Sequence, residues 1–176
     1  MAVVRGSPNP KHFGLALRLK KALKQSGLTR RALARRAGVS NAIIGYLETN
    51  QRLPNVGTIA RTASALAVSA AYLAYGLGEP TSECPLAATE GMGARLQAVR
   101  IEQGLTKAAL ARLVKLSPTA LAGIENGAQS GIAVVEALAE ALGVSPGWLA
   151  YGVGPQVLPR SRRGHPPPAQ SPAPAV

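Results

Sequence analysis

The sequence predicts an all-α protein made of two tandem copies of a small five-helix domain. Three observations carry that expectation. Apolar residues recur at helical rather than strand spacing. The apolar share is mostly Ala, Leu and Val, with aromatics at only 3% of 176 residues, which suits small helical cores. The chain also repeats itself, a run of residues from its first half returning in the same order in its second.

The repeat fixes the organisation. Gly27-Leu28-Thr29 recurs as Gly104-Leu105-Thr106, and Leu33-Ala34-Arg35 as Leu110-Ala111-Arg112. Ser40 matches Ser117 and Glu48 matches Glu125. Tyr72-Leu73-Ala74-Tyr75-Gly76 then returns as Trp148-Leu149-Ala150-Tyr151-Gly152, one position earlier than the preceding matches require. One residue has been lost in a loop, expected around Arg52 to Val56. The expected domains are 11–78 and 91–154. Residues 1–10 form a flexible N-terminus. A linker at 79–90 carries Pro80 and Pro85. A Pro-rich basic tail at 155–176 holds seven Pro with Arg160, Arg162 and Arg163, and it is expected to be disordered.

Each helix of the first copy has its local reason. Leu15, Leu19 and Leu23 line one face of the first helix, which Gly27 ends. Thr29 can cap a second helix running through Leu33 and Ala37. Gly38 breaks it, and Ser40 can cap a third that turns Ile44 and Leu47 inward. A fourth runs from about Val56 to Leu66, and a short fifth follows Ser69 through Tyr72 and Leu73. Between Arg30 and Leu47 the pattern is helix–turn–helix. Small Ala34 lets two helices approach, Gly38 tolerates a left-handed turn, and Val39, Ile44 and Leu47 fill the angle between them. The outer face of the third helix is then free to enter a DNA groove.

These residues resemble the phage-repressor, Cro-like helix-turn-helix proteins, also called the XRE family. The first copy carries the pattern in GLTRRALARRAGVSNAIIGYLETNQRLP and TIARTASALAVSAAYL, the second in GLTKAALARLVKLSPTALAGIENGAQS and VVEALAEALGVSPGWL. The resemblance covers most of both expected domains and implies two λ-repressor-like five-helix folds. It also implies sequence-specific DNA binding by the third helix. The positions matching the family's groove-facing residues are Asn41, Ala42, Ile43 and Tyr46. Asn41 can offer its amide to adenine in two hydrogen bonds, and Ala42 and Ile43 can pack on thymine methyls. Arg30 matches a position that touches phosphate or an outer base. Arg31, Arg35, Arg52, Lys20, Lys21 and Lys24 are the further phosphate candidates.

Charge separates the copies. Residues 1–80 carry 12 Lys+Arg against 2 Glu, whereas 81–154 carry 5 against 6. Phosphate neutralisation supplies most non-specific DNA affinity, so the second copy is expected to bind poorly alone. It places Lys115 where the first has Gly38, at a left-handed cost of about 1 kcal/mol. Its third helix offers Pro118, Thr119, Ala120, Ala122 and Gly123. Lys107 and Thr119 are its weak DNA candidates. Arg100 and Glu125 match a buried ion pair common in the family, and the first copy has Leu23 opposite Glu48 instead. Two arrangements stay open. In one, the first copy binds DNA and the second packs on it or pairs chains into a homodimer. In the other, both copies bind half-sites about 34 Å apart, which a twelve-residue linker spanning about 40 Å permits.

Several classes are excluded. One Cys allows no internal disulfide, and two His with no Asp make a protein-only metal site an unfavoured reading. Phosphate-binding glycine loops and a Ser/His/Asp set are missing, so no enzymatic activity and no cofactor are expected. The N-terminus lacks the apolar stretch of a secretory signal. The uncharged segments 62–78 and 141–159 carry too many polar residues, Gly and Pro for a membrane span. The expected function is a cytoplasmic, nucleoid-associated transcriptional regulator, a repressor acting on double-stranded DNA by operator occupancy. The alternative is a protein-interaction module such as an antitoxin or adaptor; non-specific nucleoid or RNA binding ranks third.

Overall fold

The computed structural model describes residues 13–49, 52–80 and 91–157. The expected N-terminal arm 1–10, most of the linker and nearly all of the Pro-rich tail lie outside the described residues. Ten helices and no strand appear among the described residues. The first copy comprises α1 (Phe13–Ser26), α2 (Arg30–Ala37), α3 (Asn41–Glu48), α4 (Val56–Ala65) and α5 (Ala70–Tyr75). The second comprises α6 (Met92–Glu102), α7 (Lys107–Leu113), α8 (Pro118–Glu125), α9 (Ile132–Leu142) and α10 (Pro146–Tyr151).

Caps set these boundaries. The side chains of Thr29, Ser40 and Ser69 accept hydrogen bonds from the N–H groups of Ala32, Ile43 and Tyr72. Thr106, Ser117 and Ser145 repeat them toward Ala109, Ala120 and Trp148. Each such cap satisfies one donor that the helix cannot pair internally and is worth about 1 kcal/mol. Asn55 adds a cap that the pattern did not announce, accepting from Thr58 N–H at 2.7 Å. The turn in the first helix-turn-helix is left-handed at Gly38, φ 62°. Its counterpart Lys115 takes the same conformation at φ 57° despite its side chain. The residue lost between the copies falls between Thr49 and Asn55, since Asn55 and its partner Gly131 already keep the shorter spacing.

The buried residues of the two copies join in one hydrophobic cluster. Leu15, Leu19, Leu33, Ile44, Leu47, Ile59 and Leu73 are buried in the first; Leu96, Leu110, Leu121, Ile132, Leu138 and Leu149 are buried in the second. An arginine ties the first helix of each copy to its fifth. Arg18 donates to the carbonyls of Leu73 and Ala74 at 3.0 and 2.8 Å. Arg95, its repeat equivalent, donates to Leu149 and Ala150, both at 3.0 Å. These carbonyls end short helices, where a cation satisfies both the free acceptors and the helix dipole. Burial lowers the pKa of both guanidinium groups.

The two copies pack against each other by an internal two-fold. Val56 N–H donates to the Ser130 carbonyl at 2.9 Å, and its repeat equivalent Ile132 donates to the Pro54 carbonyl at 3.1 Å. Asn55 and Gly131, equivalent to each other, form the antiparallel bridge between these bonds. The Tyr75 hydroxyl donates to Ile132 O at 3.2 Å, and the Tyr151 hydroxyl donates to Val56 O at 3.4 Å. The two rings stand 6.5 Å apart. Helices α5 and α10 cross at Ala71 and Gly147, again an equivalent pair. A Cβ added to Gly147 would stand 3.0 Å from that of Ala71. Reciprocal contacts of this kind are the signature of an isologous interface. Here both halves of the interface belong to one chain.

Candidate nucleic-acid interface

The helix-turn-helix of the first copy is set by burial on one side and exposure on the other. Leu33, Ala34, Ala37, Ile44 and Leu47 face the core. Asn41 and Ala42 are exposed at the start of α3, directly after the Ser40 cap. Tyr46 is exposed one turn later, at 39%. Ile43 differs from the other three base-reading candidates: it is half-buried and packs against the core, so only part of its side chain faces outward. The amide of Asn41 and the methyl of Ala42 are therefore the freest chemistry on the helix.

Two grooves open on the first copy beside its helix-turn-helix. One, of about 390 Å³, runs along Ile43 and Tyr46 of α3, then Arg52, Leu53 and Asn55, and ends on Gly131 of the second copy. The other, of about 290 Å³, is lined by Thr29, Arg31, Ala32 and Arg35 along α2. Arg31, Arg35 and Arg52 are all exposed. Arg30 and Arg31 stand in the first turn of α2, which holds no acid. The positive end of a helix dipole repels cations there and favours an anion. Lys20, Lys21 and Lys24 are exposed on α1 and line neither groove.

Arg30 has a second task. Its guanidinium pairs with Glu48, which is buried at the end of α3. Leu23 occupies the position where the second copy has an arginine, so Arg30 reaches across from α2 to meet the carboxylate. In the second copy Arg100 Nε and Nη2 clasp the two oxygens of Glu125 at 2.6 and 3.2 Å. Arg100 also donates to Leu105 O, and Lys107, the counterpart of Arg30, lies 3.4 Å from Glu125. The Arg30–Glu48 pair escaped sequence reasoning. The matching Lys107–Glu125 spacing was its only signal.

The second copy presents the same surface with different chemistry. Pro118, Thr119 and Ala120 are exposed at the start of α8. Thr119 alone among them carries a side-chain hydrogen-bonding group. Thr119 and Lys107 are exposed on this helix-turn-helix, with Lys107 partly engaged by Glu125. Among the described residues no helix is long and apolar enough to cross a membrane.

A family model described as helix-turn-helix matches the chain twice, over residues 19–73 and 96–149. Those segments hold α2–α3 and α7–α8 whole and together span more than half of the chain. No curated protein and no solved structure matches the chain. The twofold match, the two capped helix-turn-helix units and the absence of strands among the described residues agree. The chain belongs to the helix-turn-helix family of DNA-binding regulators of the XRE type, in a tandem form.

Proposed function

We propose that this regulator is a repressor that acts by occupying an operator, with the first copy as the main reader of DNA. One observation supports this most: α3 offers exposed Asn41 and Ala42 on a unit whose grooves are lined by Arg31, Arg35 and Arg52, whereas α8 offers Pro118, Thr119 and Ala120. Asn41 would read a base edge, with Ala42, Ile43 and Tyr46 shaping the contact. Arg30, Arg31, Arg35 and Arg52 would hold phosphates, and Lys20, Lys21 and Lys24 would add long-range attraction. In this reading the protein catalyses no reaction, needs no cofactor, and works in the cytoplasm on the nucleoid. Selection of duplexes from a random library by the full chain, at physiological salt, tests it. One enriched motif is the expected outcome; no enrichment contradicts sequence-specific regulation.

A second reading has one observation in its favour. Ile101 and Leu113 are exposed on the second copy, 59% and 62%, where the first copy has Lys24 and Arg36. Exposed apolar side chains of this size suit a protein partner, as in an antitoxin or adaptor. An adaptor would bind no duplex strongly at any salt concentration, which separates the two readings.

A further inference from the structure

The second copy is neutral as a whole, yet its charge is not spread evenly. From Lys107 to Glu125 the cations are Lys107, Arg112 and Lys115, all exposed. The one acid in that span, Glu125, is buried and held by Arg100. The other described acids of this copy, Glu102, Glu136 and Glu140, stand on α6 and α9. The helix-turn-helix surface is therefore locally basic, although its copy carries a slight excess of acid. Lys107 and Arg112 repeat Arg30 and Arg35, two phosphate candidates of the first copy.

The internal two-fold says where that surface points. Its axis passes between the equivalent pairs Asn55–Gly131 and Ala71–Gly147. A two-fold rotation leaves height along its axis unchanged. Ile43 and Tyr46 share a groove with Gly131, so α3 flanks the axis at the bridge. Its equivalent α8 must flank the axis at the same height on the opposite side. The two helix-turn-helix units thus stand level with each other, one on either side of the axis. The surface that joins the copies is closed by its own reciprocal bonds, and Tyr151, Val56 and Ile132 are buried in it.

We propose that a single chain covers two successive turns of one duplex, reading bases through α3 and holding only backbone through Lys107, Arg112 and Lys115. Its operator is then non-palindromic and bound by one chain. This rests on the DNA-binding reading above and adds what the second copy does within it. Two-fold dimers bind palindromic sites because both halves read alike; here the halves are alike in fold and unlike in reading chemistry.

The test uses the full chain and the duplex it selects. Native mass spectrometry should give one chain per duplex, and footprinting should protect about two helical turns, with base preference confined to one half. Lys115→Gly separates folding from contact, because it relieves a left-handed lysine while removing a cation. It should raise the thermal midpoint yet weaken binding and reduce the slope of log affinity against log salt by about one. Arg112→Gln should weaken binding in the same way without the gain in stability. Two chains on a palindromic duplex, a one-turn footprint, or unchanged salt slopes in both variants would overturn this proposal and leave DNA reading by α3 intact. Failure of the chain to select any duplex would overturn both.

Discussion

Glu48 and Glu125 occupy equivalent positions, and the two copies neutralise them differently. Glu125 receives a two-pronged clasp from Arg100 and a longer contact from Lys107. Glu48 has Arg30, whose side chain remains 54% exposed. Removing one partner of a buried pair leaves a charge out of water, which costs far more than the pair contributes when intact. Arg100→Leu, which copies the arrangement around Leu23, should destabilise the chain by about 3 kcal/mol, measured by denaturant unfolding. Residue chemistry also decides the role of the surface arginines. Arg35→Ala should weaken all duplexes alike and lower the salt slope by about one, because a phosphate contact carries no base preference; equilibrium binding to matched and mismatched duplexes checks both. At this scale the sequence was most legible for residues with a single task. Asn41 and the capping hydroxyls of Thr29, Ser40 and Ser69 stand where their types and neighbours place them. Arg30 was harder to read, because its ion pair joins α2 to α3 across the fold. Ile43 was also harder: its outward position in the pattern does not reveal how far the core reaches up beside it.

The helices themselves were almost fully written in the sequence. Periodicity, N-terminal hydroxyls and terminal glycines mark all five elements of the first copy, and the repeat carries them to the second. The pairing of α5 with α10 could not be read the same way. Tyr75 and Tyr151 recur in register, but only the folded chain shows that each hydroxyl crosses to the other copy. Burial, with Glu136 adding to it, raises the Tyr75 pKa above its ordinary value. An unfolded tyrosine ionises near pH 10, whereas the folded one resists. Stability from this hydroxyl is therefore complete below about pH 10 and is lost as pH rises beyond it. Thermal midpoints measured from pH 7 to pH 11 should fall at the alkaline end for the wild type, and less for Tyr75→Phe. The variant should start lower at neutral pH by the net worth of one hydrogen bond, about 1 kcal/mol. An identical alkaline decline in both proteins would show that other groups cause it.

The whole molecule is an asymmetric pair in a symmetric frame. Its net charge of +12 suggests a uniformly basic protein, yet the stretch 1–80 holds most of it. The folded chain refines that further, since, apart from the buried Glu125, the described acids of the second copy stand on α6 and α9. Tandem organisation was legible from the repeat alone. The internal two-fold was not, because bonds such as Val56 to Ser130 join distant parts of the chain and involve main chain only. Main-chain contacts leave no side-chain pattern to read. Division of labour between the copies is the account's central claim, and a paired selection experiment tests it most directly. The full chain, Asn41→Ala and Thr119→Ala would each be offered the same random duplex library at physiological salt. Asn41→Ala should lose preference at one base position, by about 1–3 kcal/mol, while Thr119→Ala keeps the wild-type motif. A motif that survives Asn41→Ala and changes with Thr119→Ala would contradict the assignment of reading to the first copy.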